Sequence, residues 1–508
     1  MSGDTPVARL FARDASLWTS SGEDAWLGWI DAVDEAQRGL GDLMAWTGSL
    51  GAAHERVVLC GMGGSSLAPL VIAALHGNDR LHVLDSTDPD AVRAVPVEGS
   101  LFVIASKSGT TIEPNCFADA FWAKTGGDGS RFVAITDPGS ALEERARKEG
   151  WAHIAHGRAD VGGRYSALTA FGLVPAALAG IAIAPMLERA SAALAKCRDN
   201  WGVNPAVALA DVIGNAHDRG RDKLTIVTSP ALASMGLWLE QLIAESTGKQ
   251  GTGLLPVAGE PLGEPGAYGD DRLFVHLREG TGRDRQDDAL NSLREAGQPV
   301  FTIQLEEHDA AAVGELFIEW EIATALVGAR LHINPFDQPN VQEAKDRTVA
   351  ILEGFARDGK LPSEEAGSLS EVLGHAERGR SYVCLQAFVA PTPERQALLE
   401  RLQGRLRDAL GCAATAGFGP RYLHSTGQYH KGGPPNGVFV QLLAGEQDDE
   451  EIPGRPYGFR TLRDAQALGD AGALRGRGLP LARISLAACE TAIERALEHI
   501  STTTRGSS

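Results

Sequence analysis

The sequence predicts an α/β protein with two doubly wound parallel sheets and helical extensions at its N- and C-termini. Three observations carry that expectation. Short apolar runs rich in β-branched residues alternate with helix-length segments between Val57 and Ala155, the rhythm of a parallel sheet covered on both faces. Two of these runs end abruptly in small polar loops, GMGGSS (61–66) and SKSGTT (106–111). A second series of strands opens at Leu224, and a chain of 508 residues is too long for one core.

Taken in order, residues 1–50 read as a helical arm, because Trp26, Leu27, Trp29, Ile30 and Val33 recur at helical spacing. Residues 51–205 form the first expected domain, with strands Val57–Cys60, Leu81–Leu84, Leu101–Ala105, Phe132–Ile135 and Ala152–Ala155. Ala167–Leu187 runs for 21 residues without a charge. That is long enough for a membrane span, but its prolines, glycines and alanines favour a buried helix or helix pair. Residues 206–445 form the second expected domain, with strands at Leu224–Val227, Gly253–Val257, Leu273–His276 and Val300–Ile303 and a helix over Ala311–Leu331. Helices across 349–380, an insertion, and 391–410 flank a strand at Tyr382–Phe388, and another strand lies at Val438–Leu443. Residues 446–508 read as a C-terminal extension with an acidic surface run (447–451), a helix at Leu481–Ile500 and a frayed end at Ser501–Ser508.

Composition narrows the partners. A net charge of −19 argues against non-specific nucleic-acid binding, while leaving room for an anion in a cleft lined by local cations. The six cysteines are scattered, with no paired or metal-ligand spacing, which fits a reducing cytoplasm. The first residues lack the apolar core of a secretion signal. No metal, cofactor, membrane or nucleic-acid partner is expected.

The loops hold the chemistry. A strand running into hydroxyls, a Lys and a Gly, then a helix start, gathers N–H groups and a positive dipole end at one point, an anion site suited to a phosphate monoester. GMGGSS lacks the third glycine of a dinucleotide fingerprint. Further polar loops occur at GGRYS (162–166), ESTGK (245–249), FDQPNVQEAK (336–345) and HSTGQYHKGG (424–433). Together these motifs resemble the glucose-6-phosphate isomerase family, whose domains are of the sugar-isomerase (SIS) type. The set of six loops looks closest to the isomerase half of bacterial transaldolase–isomerase fusions, without a transaldolase part before the first sheet.

The resemblance implies interconversion of an aldose and a ketose phosphate, with a sugar phosphate as partner, and it allows a homodimer. It assigns phosphate and sugar contacts to Gly64, Ser65, Ser106, Lys107, Ser108, Thr110, Thr111 and Gln338. It makes Glu245 the base and Arg164 the cation that steadies the enediolate, and it puts Lys345 near the ring oxygen. The ring-opening histidine matches His430, with His424 as a competitor that otherwise binds substrate. Chemistry makes the same demands: an acid/base near neutrality to open the ring, one carboxylate for the proton between C2 and C1, and a fixed cation. A sensor of sugar phosphates, or an isomerase of another sugar phosphate, is the alternative reading.

Overall fold

The structure, a computed structural model, describes residues 5–198, 203–306 and 308–506. The first sheet contains β1 (Arg56–Cys60), β2 (Leu81–Leu84), β3 (Ser100–Ala105), β4 (Phe132–Thr136) and β5 (His153–His156). All pairings are parallel, in the order β2-β1-β3-β4-β5. The alternation of side chains along a strand decides its two cores. Val57, Leu59, Leu101 and Val103 face the helices Trp29–Ala52, Leu67–Leu75 and Ala170–Leu178, whereas Val58, Cys60, Phe102 and Ile104 face Ile112–Lys124.

The second sheet has β6 (Lys223–Thr228), β7 (Leu255–Ala258), β8 (Arg272–Glu279) and β9 (Val300–Leu305), ordered β7-β6-β8-β9 and parallel. The helix Met235–Thr247 follows β6 and is buried along nearly its whole length.

Beyond the two expected sheets lies a third, also parallel: β10 (Tyr382–Phe388), β11 (Ala413–Phe418), β12 (Gly437–Leu443) and β13 (Leu481–Ser485), ordered β11-β10-β12-β13. The strands expected at Tyr382 and Val438 therefore belong to a sheet of their own. Two of its members escaped the sequence reading. β11 is AATAGF, too rich in alanine and glycine to look β-forming. β13 reads as the start of a helix, but Arg483 pairs in register with Gln441 of β12 and donates to its Oε1 (3.0 Å). The terminal helix instead spans Cys489–Gly506, so the stretch expected to fray stays helical through Gly506, and residues 507–508 lie outside the described residues.

In every sheet the second strand lies outside the first, with the third on the first strand's other side. The switch point thus falls between first and third strands, where ligands of doubly wound sheets bind. The apolar stretch at 167–187 breaks into two helices, Ala170–Leu178 and Ile183–Arg198, at Gly180 with φ +83°. Among the described residues no helix is long and apolar enough to cross a membrane.

The third sheet's helix Phe459–Arg475 covers the outer face of the first sheet, where Phe459 stacks on Phe117 at 5.7 Å. This cross-packing brings residues from the two ends of the chain to one cleft.

Candidate active site

The hydroxyl loop leaves β3 at the switch point and reaches the helix Ile112–Lys124. Gly109 takes φ +70°, and a Cβ there would come within 2.6 Å of the Leu142 backbone nitrogen, so only glycine fits the turn. Ser108 and Thr110 share a hydrogen bond (2.8 Å), and Ser106 Oγ donates to Thr111 Oγ1 (3.1 Å). A cavity of about 420 Å³ opens above them, lined by Ser108, Thr110, Thr111, Glu113, Lys345 and His424. Hydroxyls, a helix start and a lysine ammonium at one point make this space suited to an anion.

Lys107 does not face that cavity. Its ammonium binds Asp137 (2.5 Å) and the Arg158 carbonyl (2.7 Å), fastening the loop to the end of β4. Ser65 lines a separate small void with Lys107 and Gly163. Gly64 presses on the GGRYS turn: a Cβ would sit 2.1 Å from Gly163 O. Ser106 is 3% exposed and supports the loop from beneath.

Beside the cavity stands a buried acid–guanidinium cluster. The turn Gly163–Tyr165 delivers Arg164, and the last turns of Met235–Thr247 deliver Glu245 and Ser246. Arg164 Nη1 approaches Glu245 Oε2 at 3.4 Å and Gln338 Oε1 at 3.2 Å. Its Nε donates to Ser246 Oγ (2.9 Å), and Nη2 donates to the carbonyls of Pro335 (2.6 Å) and Asp337 (2.8 Å). One guanidinium thereby holds both the carboxylate and the FDQP loop, a fan of contacts only a planar five-donor group can make. Lys249 fastens the same loop through Asn334 O and Asp337 Oδ1, and burial beside Arg164 pushes its pKa down to about 8. Burial raises Glu245 above the usual carboxylate range, against the pull of Arg164, His424 and Lys345.

Gln241 joins the cluster to the cavity, donating to Glu245 Oε2 (3.4 Å) and to His424 O (2.9 Å). His424 ends the turn Arg421–His424, and its Nε2 lies 2.9 Å from Glu113 Oε1. Gln466 Nε2 also donates to that oxygen (2.8 Å), and its own Oε1 accepts from the Thr87 hydroxyl (2.7 Å). Burial alone would raise Glu113, but the His424 ring and Lys345 carry it below its ordinary value.

The two histidines of the loop part company. His424 lines the cavity; His430 is 4% exposed and sits over the third sheet. His430 Nδ1 meets Tyr382 OH (2.9 Å) and Nε2 meets Thr426 Oγ1 (3.0 Å), so both ring nitrogens are occupied. Burial drives its pKa well below the usual histidine range. Among the expected residues, then, Ser108, Thr110, Thr111, Lys345 and His424 share one cavity, and Arg164, Glu245 and Gln338 share one cluster beside it. Glu113 and Gln466 do not stand out in the sequence reading. Glu113 carries a signal, a carboxylate two positions beyond the hydroxyl loop in the first helical turn; Gln466 carries none.

Doubly wound sheets that hold an anion cradle beside a buried carboxylate–guanidinium pair define a protein built to work on a small anionic substrate. Residues 35–282 match the family model for phosphoglucose isomerase. Among curated relatives, glucose-6-phosphate isomerase of Synechococcus sp. (strain JA-3-3Ab) is 32% identical over 63% of this chain and 70% of its own length. That of Geobacter sulfurreducens is 30% identical over 68% and 76%. The chain belongs to the glucose-6-phosphate isomerase family. Solved structures agree on the fold: a hypothetical protein from Thermus thermophilus matches with TM-score 0.58 and 26% identity over 68% of this chain and 93% of that one. A glucose-6-phosphate isomerase from Chlamydia trachomatis matches with TM-score 0.52 and 20% identity over 70% and 78%.

Proposed function

We propose that the chain interconverts glucose 6-phosphate and fructose 6-phosphate by ring opening and proton transfer through a cis-enediolate. The observation that carries this reading is the burial of Glu245 against Arg164 beside the hydroxyl-lined cavity. The phosphate rests on Ser108, Thr110, Thr111 and the first N–H groups of the following helix, with Ser106, Lys107, Ser65 and Gly64 shaping the loops behind. His424 exchanges the ring proton and Glu113 orients its imidazole, while Lys345 steadies the ring oxygen. Glu245, made more basic by burial, moves the proton between C2 and C1 from one face. Arg164 Nη1, with Gln338, meets the negative charge that develops on the enediolate oxygens. Binding energy from the phosphate holds the sugar for these steps. His430 supports the turn that carries His424 rather than acting on the sugar.

In this reading the chain is the counterpart of the isomerase half of transaldolase–isomerase fusions, which the six polar loops taken together resemble. It holds a first SIS-type unit over 51–205 and a second from 206, with the third sheet supplying His424 in the same chain. Every group named comes from one copy, so a homodimer would not be required for turnover. Six buried free cysteines fit a reducing cytoplasm.

The test is a coupled assay that detects glucose 6-phosphate formed from fructose 6-phosphate, run on the parent and on Glu245→Gln. The variant should lose about 10²–10⁴-fold in isomerisation yet still open the glucose 6-phosphate ring. In deuterated water the parent's product should gain part of its transferred hydrogen from solvent. Near-full activity of Glu245→Gln would assign the base to another carboxylate.

A further inference from the structure

The helix Met235–Thr247 turns Gln241 and Glu245 toward the acid–guanidinium cluster, and its other side borders a second cavity of about 340 Å³. This space lies where the carboxyl ends of β6 and β7 meet that of β11, the edge strand of the third sheet. Its walls are rich in acceptors. Glu240 is 8% exposed, has the Ala258 backbone as a polar neighbour and, among the described residues, forms no ion pair. Gln403 spends its amide nitrogen on the carbonyls of Ala258 (3.2 Å) and Ala414 (3.0 Å), leaving Oε1 as an acceptor. Glu400 adds a second carboxylate from the same helix as Gln403, and it accepts from the Gln396 amide (2.9 Å).

The cation on this wall is already committed: Arg421 holds Asp85 through two bonds, Nε to Oδ2 (2.6 Å) and Nη2 to Oδ1 (2.8 Å). The Tyr422 hydroxyl donates to Asp470 (2.7 Å). Two carboxyls and an amide oxygen call for a donor, and the one guanidinium on the wall is already paired with Asp85. Phe418, Leu237 and Ile226 supply apolar surface for a carbon skeleton.

We propose that this cavity binds a small organic cation, an ammonium-bearing molecule about the size of a hexosamine, with its ammonium on Glu240. Arg421 alone does not offset the burial of Glu240, and a bound ammonium would supply the counter-charge that lets this carboxyl ionise. Burial lifts the Glu240 pKa to about 8, so near pH 7 the empty site carries a proton that an ammonium must displace.

Isothermal titration of the full chain with glucosamine, and with glucose as the uncharged counterpart, tests the site. Glucosamine should bind one to one, at least tenfold tighter than glucose. Its heat should vary between buffers of different ionisation enthalpy, as expected for proton release at pH 7. Glu240→Gln should weaken glucosamine tenfold or more. Gln396→Trp, an exposed change at the cavity mouth, should block binding while leaving isomerase activity in place, and serves if Glu240→Gln does not fold. No glucosamine binding, equal binding of glucose, or binding that survives the folded variants would overturn the proposal.

Discussion

His424 Nε2 stands 2.9 Å from Glu113 Oε1 across 311 positions of sequence, and the same oxygen receives the Gln466 amide. The carboxylate thus orients one imidazole nitrogen and leaves the other for a substrate. Gln466 cannot rotate its acceptor toward Glu113, because the Thr87 hydroxyl holds its oxygen.

Gln466→Leu should therefore change the pH dependence of ring opening. A donor on a carboxylate favours the ionised form, so its removal raises the Glu113 pKa and moves the acid limb to higher pH. One such bond is worth about 1.5 kcal/mol, or about one pH unit. Exchange NMR of the glucose 6-phosphate anomers between pH 5 and 8 measures the limb. An unmoved limb would reduce Gln466 to packing, whereas ring opening that survives His424→Ala would instead remove His424 from its role.

Arg164→Lys keeps the charge but loses the fan of bonds to Ser246, Pro335 O and Asp337 O. Turnover should fall about 10²-fold, with a smaller change in KM. Steady-state kinetics decide: a rise in KM at constant kcat would make Arg164 a ground-state binder.

Ser108→Asp places a carboxylate in the cavity wall beside Thr110 and Lys345. Lost charge-assisted bonds of about 1.5–3 kcal/mol should weaken fructose 6-phosphate roughly ten- to hundredfold or more without changing the melting temperature much. Unchanged affinity by titration calorimetry would place the phosphate elsewhere.

Glu321, in the helix Val313–Arg330, is 1% exposed with Oε1 unpartnered among the described residues, and burial raises its pKa well above the usual range. The folded chain holds a proton here that the unfolded chain releases above its ordinary pKa. Stability is thus present in full at acid pH and lost as pH rises. Glu321→Gln removes that loss, so its gain in Tm should be larger at pH 8 than at pH 5. Calorimetry showing the same gain at both would mean that Glu321 stays ionised.

Much of this molecule is legible in local pattern. Doubly buried strands such as Leu101–Ala105 announce themselves because both faces must be apolar, and the SKSGTT loop is legible because its hydroxyls and glycine are contiguous. β13, short and followed by alanines, looks like a helix because pairing with β12, not propensity, makes it a strand. The choice between His424 and His430, six positions apart in one loop, lies beyond local pattern: it depends on which side of the turn faces the first sheet and which rests on Tyr382. Lys107 likewise reads as a phosphate ligand until Asp137, thirty positions on, claims its ammonium. Contiguous residues are enough to show which loops carry the chemistry. Which side chains in those loops are free to act follows from folding alone, because their burial and their partners come from segments far away along the chain.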